Sequence, residues 1–246
     1  MSEVNLDIQG HVAIITLAAP ERRNALIPTM VEELLSACDE VDANADVGAV
    51  VVRALGQSFC AGAHRAILAE AARDPARADN FSRLTFIYRA FTRVASLSPP
   101  TVSAVRGHAV GAGVNLMLST DLRIVGEKAQ ITAGFLPIGL HPGGGHFTLM
   151  GRLGGREATA GMSLFGQPVD GLRAVQLGIA WAAYADQDVE PQAIRIAETV
   201  ASDPELARAA ARSFRLEMGP PMSTWPAALE LETGIQMWSL RRQQAD

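Results

Sequence analysis

Residues Gly107–Ile124 read GHAVGAGVNLMLSTDLRI, a run that opens on glycines and small side chains and turns into a short apolar stretch. Glycine and alanine leave the main chain bare, so a ligand or another backbone can approach the N–H groups closely. A helix that starts there leaves its first N–H groups without intrahelical partners. Just upstream, behind the Pro99-Pro100 break, Thr101–Val105 reads as a short buried strand. The order is therefore strand, glycine-bearing loop, helix. A second loop of the same texture, Gly56–His64 (GQSFCAGAH), follows Val47–Leu55 (VGAVVVRAL). That β-branched run is of the kind buried on both faces. This alternation predicts an α/β chain with parallel strand pairing.

Further out, Val4–Ile8 and His11–Leu17 flank Gln9-Gly10 and predict a hairpin. Ile27–Asn44 has helical spacing, with Pro28 near its start, and Ala76–Leu97 is helical in pattern. After Gln187 the texture changes. Val189–Ala201, Pro204–Leu216 and Thr224–Arg242 all read as helices, and no further strand is expected. The predicted organisation is an α/β core over residues 1–187 and a helical C-terminal region over residues 188–246. Gly219-Pro220-Pro221 is the expected hinge before the last helix.

Composition removes several function classes. The chain has 246 residues, 48% of them hydrophobic and 19% charged, which suits one large packed domain. A net charge of −5 argues against general nucleic-acid binding. Cys38 and Cys60 form no disulfide framework, and no Cys/His cluster suggests a metal. The start, MSEVNLDIQG, is polar and acidic and reads as no signal peptide. No apolar run approaches the ~20 residues that cross a bilayer, so a cytoplasmic protein is expected. Neither G-x-G-x-x-G nor a Walker loop is satisfied. Gly161-Met162-Ser163-Leu164-Phe165 lacks the final glycine of a nucleophile elbow.

Two readings of the glycine-bearing loops stand side by side. Phe59-Cys60-Ala61-Gly62-Ala63-His64 and Val110-Gly111-Ala112-Gly113-Val114-Asn115 can be tight turns in a packed core. They can also aim main-chain N–H groups at one point and form an oxyanion hole.

An ordered series carries a family resemblance: Pro20-Glu21-Arg22-Arg23-Asn24-Ala25-Leu26, then SFCAGAH, then VRGHAVGAGVNLMLSTDLRIV, then GLHPGGG. In order and spacing the series resembles the enoyl-CoA hydratase/isomerase family, the crotonase superfamily, over nearly the whole chain. The resemblance implies a spiral of ββα units with a helical trimerisation region, assembled as a homotrimer or a dimer of trimers. It implies an acyl-CoA or enoyl-CoA thioester as ligand, with CoA as part of the substrate and no separate cofactor. By the same resemblance Ala63 and Ala112 supply the two backbone oxyanion donors, and Arg22, Arg23, Ala25, Ala61 and Ala63 line the CoA groove. Asp121 matches a family acid with a structural role, and Asn24 reads as a turn anchor.

The match departs from the hydratases at the two acids that move protons. Asn115 and Phe135 stand at those positions, and neither exchanges a proton near neutral pH. Histidines are the substitutes on offer. His146 and His141 bracket Pro142-Gly143-Gly144-Gly145, His64 follows Ala63, and His108 precedes the second loop. Each is read either as a base, His146 first, or as a hydrogen-bonded residue without chemistry. Asp121 and Glu127 are poor bases because the expected strand carries them away. Trp225, Trp238 and Leu240 are expected as core or subunit contacts, or as a cap over the ligand. The functional expectation is an acyl-CoA-processing enzyme of hydratase or isomerase type, a lyase-like activity of fatty acid metabolism. The alternative is a carrier or sensor that binds acyl-CoA without turnover.

Overall fold

A computed structural model describes residues 2–218 and 225–242. The expected hinge Gly219-Pro220-Pro221 lies outside the described residues. The chain begins with strands β1 (Val4–Gln9) and β2 (Val12–Leu17), paired antiparallel as the Gln9-Gly10 turn predicts. Helix α1 (Pro28–Ala43) follows, with Pro28 in its first turn, where a missing N–H costs nothing. Three successive units then repeat one path: a strand in a large sheet, a strand in a small sheet, and a helix. The first unit is β3 (Ala49–Ala54), β4 (Ser58–Cys60), α2 (Arg65–Arg73) and α3 (Ala78–Ala95). The second is β5 (Thr101–Val105), β6 (His108–Val110) and α4 (Ala112–Leu118). The third is β7 (Leu122–Gly126), β8 (Gln130–Thr132), a single turn at Leu136–Ile138, and α5 (His146–Thr159). The chain continues through β9 (Val169–Asp170), α6 (Gly171–Gln176), β10 (Ala182–Tyr184), α7 (Asp186–Ala201), α8 (Pro204–Glu217) and α9 (Trp225–Arg242).

The large sheet runs β1-β2-β3-β5-β7-β10 and the small one β4-β6-β8-β9. From β2 to β10 the large sheet is parallel, as the α/β reading requires. Its β2 is buried along its whole length because both faces are covered. Ala13, Ile15 and Leu17 belong to the main core with α1, α3 and α4, while Val12 and Ile14 meet Val189, Ala193, Ala197 and Ala201 of α7. Those α7 residues recur at i, i+4, one apolar stripe of a helix. The expected break at 187/188 thus falls inside α7, which packs on the sheet.

Two polar anchors hold the ends of this frame. Asp121 accepts hydrogen bonds from the Thr101 N–H (2.8 Å) and hydroxyl (2.9 Å) and from the Arg215 Nε (2.9 Å). It ties the starts of β5 and β7 to α8, the structural role expected of it. Asn24, fully buried at φ +51°, accepts from the Ala19 N–H (2.9 Å) and donates to the carbonyls of Leu55 (2.9 Å) and Ser58 (2.8 Å). It fixes the turn before α1. Among the described residues no helix is long and apolar enough to cross a membrane.

Candidate active site

The two glycine-bearing loops lie against each other. A methyl group placed on Gly62, which sits at φ +83°, would stand 2.6 Å from the Val110 carbonyl oxygen and 3.2 Å from the Ala112 nitrogen. One placed on Gly113 would stand 2.1 Å from the Cys60 carbonyl oxygen. Only bare backbone lets α4 sit this close to β4. Leu26 donates to the Gly62 carbonyl (2.8 Å) and accepts from His64 N–H (3.0 Å), a parallel bridge to Ala63. In such a bridge the N–H of Ala63 itself points to the side away from Leu26. Ala112 is the first residue of α4, so its N–H has no intrahelical partner. Two donors of this kind on adjoining loops suit an oxygen that gains negative charge.

The remaining members of the proposed groove form the strap along the first loop. Ala61 N–H donates to the Arg23 carbonyl (3.0 Å), and Ala25, buried, donates to the Arg22 carbonyl (3.1 Å). The Arg22 guanidinium pairs with Glu3 (2.7 Å) and Glu21 (3.1 Å), whereas Arg23 is exposed.

Asn115, Phe135 and His146 are brought together behind the loops. Asn115 is the polar residue of the buried helix α4. Its amide nitrogen donates to the Gly143 carbonyl (2.9 Å), so its oxygen is the atom 2.7 Å from His146 Nδ1. That oxygen accepts, which places the His146 proton on Nδ1. Nε2 then accepts from the Ser163 hydroxyl at 3.0 Å. The Phe135 ring meets His146 edge-on at 5.0 Å and lies within 3.6 Å of a methyl position on Gly111. Asn115 and Phe135 therefore flank one imidazole.

This geometry corrects the reading of His146 as a base. Its ring is completely buried, both nitrogens are hydrogen-bonded inside the protein, and burial pushes its pKa down to about 3. A base that weak, with its lone pair already engaged, is poorly matched to proton abstraction near pH 7. His141, half-buried, donates from Nδ1 to the Pro142 carbonyl (2.6 Å) and packs edge-on against Phe147. His64 is spent as the cap of α2, accepting from Ala66 N–H (3.2 Å), and His108 is exposed on β6.

A residue that the sequence reading passed over is Glu232. It reaches from α9 and is 4% exposed. Its carboxylate accepts from the N–H groups of Gly145 (2.8 Å), His146 (3.0 Å) and Phe147 (3.4 Å), at the start of α5. Burial raises its pKa to about 7 against the lowering effect of those amides. On the same helix Gln236 donates to the His141 carbonyl (3.2 Å) and accepts from the Tyr88 hydroxyl. Trp225 donates to the Gly144 carbonyl (3.0 Å) and stacks on Phe91 at 5.9 Å. A methyl group on Gly145, which sits at φ +75°, would collide with the Trp225 ring, and one on Gly143 would meet the end of the Gln236 side chain. Of the three residues expected as contacts or cap, Trp225 closes over the glycine run and Leu240 is buried, while Trp238 is 57% exposed and no part of the core. The available signal for Glu232 was a polar pair at i, i+4, Glu232 and Gln236, on the stripe shared with Met237 and Leu240. Two cavities, of about 300 and 460 Å³, run along the seam between α3 and α9, beside Thr92, Trp225 and Leu229 and beside Tyr88 and Thr233.

The model of a family described as enoyl-CoA hydratase/isomerase matches residues 7–237. A Mycobacterium tuberculosis protein named "Probable enoyl-CoA hydratase" is 37% identical over 241 residues, which span 97% of this chain and 92% of that one. The 1,2-epoxyphenylacetyl-CoA isomerase of Escherichia coli is 28% identical over 197 residues, 80% of this chain and 75% of that one. Among solved structures, an enoyl-CoA hydratase from Bacillus anthracis superposes with a TM-score of 0.79 at 25% identity, covering 98% of this chain and 90% of the other. One from Mycobacterium avium shares the fold with a TM-score of 0.84 at 23% identity, covering 98% and 95%.

Proposed function

Since this chain belongs to the enoyl-CoA hydratase/isomerase family, we propose that it binds an acyl-CoA or enoyl-CoA thioester and acts on it through an enolate. In this reading the thioester oxygen takes hydrogen bonds from the N–H groups of Ala63 and Ala112. Charge accumulates on that oxygen as the enolate forms, so the donors strengthen when they are needed; removing one such donor typically costs ~3–4 kcal/mol. The observation that carries the reading is the contact of the two loops, with Gly62 against the Ala112 nitrogen and the Ala63 amide turned away from its bridge partner. CoA runs along the Arg22–Ala25 strap and Ala61, with exposed Arg23 available to a phosphate.

Ordinary water addition is not the favoured reaction. Neither the Asn115 amide nor the Phe135 ring acts as an acid or base near neutral pH, and general acid–base help is worth ~10²–10⁴-fold per group. The same replacement supports a second reading, a carrier or sensor that holds acyl-CoA without turnover. The protein works in the cytoplasm, where the thiols of Cys38 and Cys60 stay free. It assembles as a homotrimer or a dimer of trimers. Support for assembly comes from the exposed apolar side chains Leu136, Ile138, Leu164 and Phe165, on two segments near enough that a methyl group placed on Gly166 would stand 3.6 Å from the Pro137 ring.

The test is a titration of the purified protein with crotonyl-CoA, read both as binding and as absorbance of the conjugated thioester. Binding is expected, with little loss of the conjugated band. No binding of any CoA thioester ends the proposal.

A further inference from the structure

Helix α9 is held on the molecule largely by polar contacts. Of the side chains it buries among the described residues, Glu232, Thr233 and Gln236 are polar, and Met237 and Leu240 are apolar. Two cavities open along its seam with α3. An element with few buried apolar contacts opens more readily than the core beside it. Three grips on main chain tie α9 down. Trp225 holds the Gly144 carbonyl, Gln236 holds the His141 carbonyl, and Glu232 holds the amides of Gly145, His146 and Phe147.

The third grip differs from the other two because it can change its charge. Glu232 is 4% exposed, and no ion pair to it occurs among the described residues. A carboxylate taken out of water without a cation is strongly disfavoured, and the three amides offset only part of that. A neutral Ser, Thr or Asn at the local cap position would serve α5 at any pH. The local cap residue is instead Gly145, at φ +75°, and the oxygen arrives from 87 residues further on. The cap of α5 and the docking of α9 are therefore one contact, made by an ionisable group.

We propose that α9 is a detachable cover latched by the Glu232 carboxyl group, and that loss of its proton loosens the latch. The inference is independent of the thioester reading. A group that holds its proton more firmly docked than free favours docking at low pH. Docked, this carboxyl titrates at about 7, against 4.5 in water, so its contribution is complete below 4.5 and is lost as pH rises through 7. Opening uncovers Gly143–Gly145 and withdraws Met237 and Leu240 from the cluster that backs Phe135, whose ring lies beside Gly111 of the second loop.

The other titratable and charged groups around α9 do not account for such a change. On α5, His146 stays neutral down to about 3, and on α3 burial keeps the Tyr88 proton in place far above neutrality. Arg89 of α3 lies over the Phe86 ring at 5.3 Å. On α2, Glu70 is paired with Arg83 (2.8 Å), and Arg65 and Arg73 are exposed, as is Glu230 on α9 itself. An imidazole can change charge near neutral pH, so His141, beside the Gln236 grip, is the control.

The experiment follows hydrogen exchange of the full chain from about pH 5.5 to 8.5, corrected for the intrinsic exchange rate. Opening of α9 should rise about tenfold or more and level off above about 7, while β2, β3 and β5 keep their protection. With Trp181→Phe and Trp238→Phe, Trp225 is the one remaining tryptophan, and its emission should shift to the red over the same range. Glu232→Gln keeps an acceptor for the α5 amides and cannot ionise, so its α9 should stay closed throughout. His141→Gln should keep the parental response. If Glu232→Gln does not fold, the carbon-13 signal of the Glu232 carboxyl in the parent decides. Titration above pH 6 supports the latch, and titration near 4.5 overturns it. A flat parental profile, a parental response in Glu232→Gln, its loss in His141→Gln, or loosening of the core strands together with α9 each overturns the inference.

Discussion

His146 and Glu232 meet through one peptide N–H and respond to pH in opposite senses. His146 stays neutral in the folded protein down to about pH 3, against 6.5 in the unfolded chain. Between those values the unfolded state holds one more proton, so stability falls with falling pH by at most about 1.4 kcal/mol per pH unit. The Glu232 carboxyl keeps its proton up to about pH 7 when folded and to 4.5 when unfolded. Its contribution is complete below 4.5 and is lost as pH rises through 7. The two slopes oppose each other between 4.5 and 6.5, and below 4.5 the imidazole acts alone of the pair. We expect His146→Gln, which can bond to both Asn115 and Ser163, to flatten the decline of the urea midpoint between pH 4.5 and 3. An unchanged slope would mean that the ring is not held neutral. At this scale the sequence was legible where a residue acts on its neighbours. Asn24 as a turn anchor and Asp121 as a structural acid follow from local pattern and kinship. Glu232 was not legible, because its meaning comes from amides 85 to 87 positions away.

Among the elements, α9 is the one that covers the start of α5. It lays Trp225, Glu232 and Gln236 over the run Gly143–Gly145, and Met237 and Leu240 into the cluster with Phe135 and Leu140. Trp225→Ala removes the stack on Phe91 and the bond to the Gly144 carbonyl, a loss of roughly 2–4 kcal/mol. Hydrogen exchange along α9 should then speed up at least tenfold while the amides of β2, β3 and β5 keep their protection. Equal loss of protection throughout would show that α9 does not open on its own. Long elements were legible from periodicity and punctuation: α1 behind Pro28, α3, and the β-branched strand β3. The second sheet was not. Strands β4, β6, β8 and β9 have two or three residues each, too few for an alternation to register. Helix α2 went unread for a related reason, since its pattern lies inside a loop-rich stretch after the first glycine turn.

For the molecule as a whole, the three repeated units wind the chain so that the end of each small-sheet strand faces the next. This winding sets the first loop against the second, although about fifty residues separate Gly62 from Ala112 in the sequence. It also leaves apolar side chains outside, among them Phe165 at 74% and Trp181 at 67% exposure. Sedimentation of the purified protein should show a trimer or hexamer, and Phe165→Glu should shift the distribution toward smaller species. A parent that sediments as a monomer at micromolar concentration would remove assembly from the proposal.

By itself the sequence determined the α/β class, the parallel core, the two bare-backbone loops and the family, because these depend on contacts between near neighbours and on an ordered series of motifs. The tertiary structure alone decided which side chains share the space behind those loops. It paired Asn115 with His146, sealed that ring from solvent, and brought in a carboxylate from the far end of the chain. The physical reason is that burial and charge at a point are set by every segment packed around it, and no window of sequence contains them.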